Sequence, residues 1–309
     1  MPSHPHIHYL RRQDIDDMKW DECIQNSPNG LIYGRTFFLD TMTRGQWDAL
    51  VWGDYQAVMP LTWRKRFGFF YLYQPFFTAV LGVMGKDTTH QPVDSFLAAI
   101  PSKFRLWDFH LNESNHISNH LPVKNTKRIN YLLPLHQPYD AIRENYSRLA
   151  RRMLKKTTGL SVDRTSQPSA IIDLYRDMYS AAHPDITGED YQRLKNCADQ
   201  ASKNGYVSTW LARSTDGSIQ AFYLAFADRR FVYSVMGGST AEGKVSGAFY
   251  LLTDALIRAY AGQDKTFRFE GSDIPGIAFF NSQFGPAQVH YPHITLNRLP
   301  FPVNLFKRV

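Results

Sequence analysis

The sequence predicts an α/β protein with mixed sheets, built as two tandem units of similar plan. Three observations carry this. A strand, turn, strand, basic turn, aromatic strand pattern occurs twice, in "WDALVWGDYQAVMPLTWRKRFGFFYLYQP" and in "GYVSTWLARSTDGSIQAFYLAFADRRFVYSVMGG". Two helical segments precede the second copy, and a helix–strand–helix–strand run follows it. Antiparallel strands grouped together and then a βαβ unit give a mixed sheet with helices on both faces. Finally, 309 residues suit two units of ordinary size better than one.

The elements follow in order. "DIDDMKWDECIQ" sets acids ahead of an amphipathic run, with Met18, Trp20, Cys23 and Ile24 near one helical face. "SPNG" breaks it, and "RTFFLDTM" is a second short helix. In the first meander Gly53-Asp54 makes one turn, Arg64-Lys65-Arg66 makes the next, and Phe69 to Tyr73 is the aromatic strand. "PVDSFLAAIP" is helical, "FRLWDFHL" is a strand, residues 112–128 are a polar loop, and "INYLLPL" is a strand. A helix over 141–156 has Ile142, Tyr146, Leu149 and Met153 as its core stripe.

After the short strand "GLSVD", helices are expected at 169–182 and 188–203, the latter capped by Thr187. The second meander turns at Asp216-Gly217 and at Arg229-Arg230. The helix from Ala248 to Ala261 is apolar on nearly every face, so it should be buried on more than one side. A strand at 266–270, a helix at 274–284 and a strand at 287–298 complete the order. The expected division is 1–137 and 138–309, with the basic helix in the second unit.

Composition bounds the function. The chain is 43% apolar and 20% charged, as a globular protein with a core should be. Aromatics reach 14% and must line a core or a cleft. Lys and Arg outnumber acids 35 to 28, and the net charge of +7 favours anionic partners. Cys23 and Cys197 lack zinc or redox spacing and read as free thiols in a reducing compartment. The start, "MPSHPHIHYLRRQDID", has no apolar core of signal-peptide length, and no stretch approaches the roughly 20 apolar residues of a membrane span, so the expected location is cytoplasmic. His4, His6 and His8 read as a frayed or strand-edge terminus, and His110, His116 and His120 lack ligand spacing, so no metal is expected. The sequence has no P-loop, no G-x-S-x-G elbow and no dinucleotide glycine fingerprint.

Four places carry candidate chemistry. The loop "GGSTAEGKVSGAF" leaves an aromatic strand and opens a buried helix. Its glycines, Gly237, Gly238, Gly243 and Gly247, allow close backbone approach, the helix start offers free N–H groups, and Lys244 adds charge, as a pyrophosphate requires. An ordinary strand-to-helix loop is the alternative. On the helix at 141–156, Arg148, Arg151, Arg152, Lys155 and Lys156 crowd one side; an anionic partner or plain solvation accounts for them. Tyr73 and Gln74 end the first aromatic strand, Gln74 as an acceptor-orienting amide facing an inter-unit cleft or as a turn amide.

In "FRFEGSDIPGIAFFNSQFG", Glu270 ends a strand near Ser272. It reads as a general base for an attacking amine or as one half of a buried ion pair, with Arg268 as a partner. Ser272 or Asp273 is expected to cap the next helix, with Pro275 in its first turn and Gly285 at its end.

The element order resembles the GNAT superfamily of N-acyltransferases. It is similar in particular to the Fem-type aminoacyl transferases of peptidoglycan synthesis and their acetyltransferase-like relatives, which carry two GNAT units. "YLYQPFF" to "LGVMG", "YSRLARRMLKKTTGLSV", "FRFEGSDIPGIAFFNSQFG" and "VHYPHITLNRLP" carry the resemblance across the whole chain. It implies two units of acyl-CoA N-acyltransferase fold and transfer from acetyl-CoA or another acyl-CoA to a small-molecule or peptide amine. The donor would lie at Met236, Gly237, Lys244, Ser246, Gly247 and Ala248, with the oxyanion at the backbone near Met236-Gly237. The acceptor would meet Tyr73, Gln74, Arg148, Arg152 and Asn281, and catalysis would fall to Glu270 and Ser272. The chain departs from the pattern twice. Asn281 stands where aminoacyl-transferring members carry lysine, and only Gly247 and Ala248, with Lys244 nearby, match the phosphate loop. An aminoacyl-tRNA-dependent transferase acting on a cell-wall precursor, with tRNA as a partner, and a non-catalytic binding protein of the same fold are the alternatives.

Overall fold

The computed structural model describes residues 6–86, 93–118, 120–301 and 304. The chain forms two compact units, Met1–Arg128 with His290–Val309, and Ile129–Val289. The division expected at 137 is serial, whereas the chain from His290 onward belongs with its beginning.

The first unit runs β1 (Ile7–Arg11), α1 (Asp17–Asn26), α2 (Thr36–Thr43), β2 (Trp47–Trp52), β3 (Ala57–Arg66), β4 (Phe69–Tyr73), β5 (Met84–Gly85), α3 (Val93–Ala98), β6 (Phe104–His110) and the start of β7 (Lys124–Pro134). Its strands lie in the order β1-β2-β3-β4-β6, with β4 and β6 parallel and β5 paired to β3. Trp20 on α1 and Trp47 on β2 anchor one side of the core, their ring centroids 5.0 Å apart. The helix at α1 forms as expected, with Asp16 accepting from the Met18 and Lys19 amides. Met18 itself faces outward and is exposed, because the stripe that packs is Trp20, Cys23 and Ile24. The basic triplet Arg64-Lys65-Arg66 is part of β3 rather than a turn, and Phe67-Gly68 turns the chain. Lys124–Arg128, expected in a loop, already belongs to β7. His8 lies on the edge strand β1, while His4 lies outside the described residues.

The second unit continues with α4 (Tyr139–Arg143), α5 (Arg148–Lys155), β8 (Ser161–Thr165), α6 (Pro168–Tyr179), α7 (Gly188–Lys203), β9 (Val207–Arg213), β10 (Ile219–Ala227), β11 (Phe231–Ser239), α8 (Ala241–Ser246), α9 (Ala248–Tyr260), β12 (Thr266–Arg268) and α10 (Pro275–Ser282), after which β13 (Ala287–Asn297) returns to the first unit. Its sheet order is β7-β12-β11-β10-β9-β8, antiparallel except for the β11–β12 pair. Here β7 contributes Leu132, Leu133 and Pro134 opposite β12. In the first unit, β13 pairs antiparallel with β6 from His293↔His110 to Asn297↔Leu106.

α7 begins with the expected cap, a reciprocal box between Thr187 and Asp190. α9 is enclosed as expected: Leu252, Leu256 and Ile257 are buried in the core with Val232, Phe267 and Phe284, and exposed residues begin only at Arg258. The helix expected over 141–156 is two helices. Ser147 takes an extended backbone and its Oγ accepts from the Ala150 amide at 3.0 Å, which starts a new helix. Ile142, Tyr146 and Ala150 are the buried positions, while Leu149 and Met153 are half-buried.

Both cysteines are free and buried, and burial pushes the Cys23 thiol up to about 11 and the Cys197 thiol up further. A disulfide-exchanging thiol reagent at pH 8 should therefore leave the folded protein unlabelled. It should titrate both thiols once denaturant is added; fast labelling of either in the native state would contradict the packing.

Candidate active site

The parallel contact between β11 and β12 is short. Phe231, Val232 and Tyr233 pair with Thr266, Phe267 and Arg268, and there β12 ends. β11 runs on to Ser239, paired with β10 alone. Along that stretch the β10–β11 register jumps from Ala225↔Ser234 to Leu224↔Met236, so Val235 is the extra residue of a β-bulge. From Ser234 onward one edge of β11 has no strand beside it among the described residues. Tyr223 on β10 donates to Ser234 Oγ at 2.8 Å beside the bulge, and burial raises its phenol pKa, so it stays neutral there.

A buried polar corner turns the chain away from β11. Glu270 and Gly271 both take positive φ, 52° and 65°, the left-handed region that a residue other than glycine enters only when held. What holds Glu270 is explicit. Its Oε1 accepts from Arg268 Nε at 2.9 Å, its Oε2 accepts from Asn130 Nδ2 at 2.8 Å, and its own amide donates to Asn130 Oδ1 at 3.0 Å. Arg268 is 0% and Glu270 7% exposed. The Asn281 amide closes the corner, donating to the Glu270 carbonyl at 3.2 Å and to Ser272 Oγ at 3.1 Å.

Of the two roles read for Glu270, the ion pair is the geometry present, and both carboxylate oxygens are engaged. Ser272 and Asp273 do not cap α10. Its N-cap is Ile274, with no side-chain bond, while Asp273 accepts from the Ile129 amide at 3.3 Å and Ser272 Oγ donates toward Asn130 Oδ1 at 3.4 Å. Pro275 opens the helix as expected. Asn130 is the corner's organiser and was not singled out from sequence; its signal was one amide inside the apolar run "INYLLPL".

The glycine-rich segment is largely helical, as α8, and each of its four glycines has a packing partner. A Cβ at Gly237 would lie 2.5 Å from the Phe249 ring, and one at Gly238 2.5 Å from the Tyr179 ring. At Gly243 it would meet the Gln220 carbonyl oxygen at 1.9 Å, and at Gly247 the Met153 carbonyl oxygen at 2.9 Å. Met236, Gly247 and Ala248 are buried, Ser246 is half-buried with its Oγ donating to the Gly243 carbonyl, and Lys244 is exposed. Arg148, Arg152, Lys155 and Lys156 on and beside α5 are exposed, with no ion-pair partner among the described residues.

Tyr73 and Gln74 belong to the first unit. Tyr73 carries the Arg64 guanidinium 4.2 Å above its ring. Gln74 is a turn amide: it donates to the Thr78 carbonyl at 2.9 Å and accepts from the His110 amide at 3.0 Å.

No protein-family model matches the chain, and no curated protein sequence matches it. Solved structures do resemble it. FemX superposes with a TM-score of 0.65 at 12% identity over 97% of this chain and 99% of that one. A conserved protein from Bacteroides thetaiotaomicron gives 0.59 at 11% identity, covering 94% and 100%. The C-terminal domain of a putative lysylphosphatidylglycerol synthetase from Agrobacterium fabrum gives 0.50 at 13% identity, covering 86% and 92%. The mixed α/β architecture with its large mixed sheet is that of the acyl-CoA N-acyltransferase fold.

Replacing Glu270 tests the corner directly. Glu270→Gln leaves the Arg268 charge buried without its counter-charge, a loss of about 3–5 kcal/mol, or a melting temperature lower by roughly 10 °C. Adding Arg268→Met should restore part of it. A single variant as stable as the parent would mean the pair does not hold the corner.

Proposed function

We propose that the second unit is the donor half of a GNAT-type transferase that moves an acyl group onto an amine. The observation that carries this is the open edge of β11 from its bulge at Val235 to Ser239, left by the early end of β12. A strand edge presents rows of N–H and C=O groups, and an extended ligand bearing amides can pair with it as an added strand. The pantetheine arm of an acyl-CoA is such a ligand, with its thioester at one end.

In this reading the thioester carbonyl lies near the bulge, where backbone N–H groups of Met236-Gly237 stabilise the oxyanion. The amine nitrogen attacks the carbonyl carbon, the C–S bond breaks, the sulfur leaves with the electron pair, and the nitrogen loses a proton that the thiolate takes up. The protein's contribution is mainly placement. Glu270 acts as a positioning residue that keeps the edge open, and Ser272 and Asn281 brace it. Lys244 supplies charge for the phosphates. Gly247 and Ala248 open α9 beside it, with Ser246 just before.

A second reading has its own support. The exposed basic side chains Arg148, Arg152, Lys155 and Lys156 suit a long polyanion, so an aminoacyl-tRNA donor is the alternative to acyl-CoA. The packed state of all four loop glycines also favours a donor that needs no preformed pyrophosphate cradle.

Calorimetric titration of the whole chain with acetyl-CoA, CoA and aminoacyl-tRNA separates the two. Acetyl-CoA binding that weakens in Lys244→Glu, with stability unchanged within about 0.5 kcal/mol, supports the first. Binding of tRNA alone, weakened by Arg148→Glu and Arg152→Glu, moves the donor to the second. Binding of neither removes both.

A further inference from the structure

We propose that the tip of the β3–β4 hairpin, Arg64 to Phe70, docks the protein on an anionic lipid bilayer, with Phe67 as the inserted side chain. This rests on no feature of the donor site.

The tip is built against the usual preferences of a soluble hairpin. Arg66↔Phe69 is the last pair, so Phe67-Gly68 is a two-residue turn, and both residues have positive φ, 49° and 82°. Such a turn favours Asn, Asp or Gly at its first position, and a bulky residue there is an outlier. The ring gains no burial in return: Phe67 is 81% exposed, with the Arg66 guanidinium 5.1 Å from its centroid. A side chain that strains the turn and stays in water is accounted for by something outside the fold.

The charges around it say what. Arg64 and Arg66 lie on one face of β3 and Lys65 on the other, so cations flank the apex on both sides. Lys65 Nζ and Lys103 Nζ lie 5.1 and 5.3 Å from the Phe70 ring. Among the described residues no carboxylate pairs with Lys65 or Arg66. An apolar apex inside a collar of long cationic side chains matches the boundary of a bilayer, where a phenyl ring enters the acyl region and cations meet anionic headgroups. Among the described residues no helix is long and apolar enough to cross a membrane, so this contact lies at the membrane surface. Single-stranded RNA suits the tip less well. Stacking needs open ring faces in series, and here Tyr73 and Phe70 already carry Arg64, Lys65 and Lys103.

The test is co-sedimentation of the full chain with phosphatidylcholine vesicles, with and without phosphatidylglycerol, beside a melting curve and a tRNA titration. Binding should require phosphatidylglycerol and weaken with salt. Phe67→Asn should weaken it on the order of tenfold, and Lys65→Gln or Arg66→Gln about fivefold each. Phe67→Asn should also melt at the same or a higher temperature, because Asn suits the turn; a structural role for the ring predicts the opposite sign. The proposal fails if the parent ignores anionic vesicles or if Phe67→Asn binds them equally. It also fails if that variant melts lower, or if the tip binds tRNA and no vesicle.

Discussion

The second unit's sheet depends on the polar corner that Asn130 builds around the ion pair of Arg268 and Glu270, where β12 ends. Buried pairs add little net stability, since desolvating two charges consumes most of their attraction. The value of this pair lies in what it brings together. Arg268 and Glu270 are two residues apart, so both side chains leave the same face of the chain and pair without a bend between them, and Asn130 joins them there. The bend lies at Glu270, whose left-handed backbone is held by Asn130 on the neighbouring strand, which bonds both its carboxylate and its amide. A β12 that continued straight would pair with β11 past Tyr233 and close the edge. The corner thus holds a buried guanidinium neutralised at the point where β12 ends and the edge of β11 is left open.

The other side of that edge is governed by packing. Gly237 and Gly238 lack side chains because the Phe249 and Tyr179 rings occupy the space. Phe249 in turn meets Tyr223 at 5.0 Å and Phe280 at 5.1 Å, so β10, the start of α9 and the later part of α10 share one aromatic cluster, with Gly237 of β11 lying against it. A glycine that makes room for a neighbouring ring and one that makes room for a phosphate look the same in sequence. This is why the segment from Gly237 to Gly247 read as a candidate cradle before the packing was visible.

Local patterns were legible and non-local ones were not. The capping box at Thr187, the enclosed α9 and both meanders follow from propensity and periodicity, which neighbouring residues express by themselves. The break at Ser147 was missed because a serine inside a basic helical pattern is also tolerated; only its Oγ bond to Ala150 makes it a cap. Capping by Ser272 or Asp273 failed for the reverse reason: the motif was right in spacing, but Asn130 and Ile129, more than a hundred residues away, take those side chains first. The return of the chain from His290 to the first unit is a strand pairing of the same non-local kind, and nothing in "VHYPHITLNRLP" states which β-strand it will join.

The basic helix α5 is fixed by the same corner. Ser147, which starts it, donates through Oγ to Gln283 Oε1 at 2.6 Å, and its amide donates to the Gln283 carbonyl at 2.9 Å, just past the end of α10. Gly285 lets the chain pass so closely that a Cβ there would lie 2.6 Å from the Asn145 carbonyl oxygen. At the other end of α5, the Met153 carbonyl packs against Gly247, where α9 begins. α5 is therefore clamped between the helix that leaves the Glu270 corner and the helix that opens at the glycine-rich segment. The backbone that carries its cations is set relative to α9 and α10 by contacts at both ends, while the long side chains themselves reach into solvent.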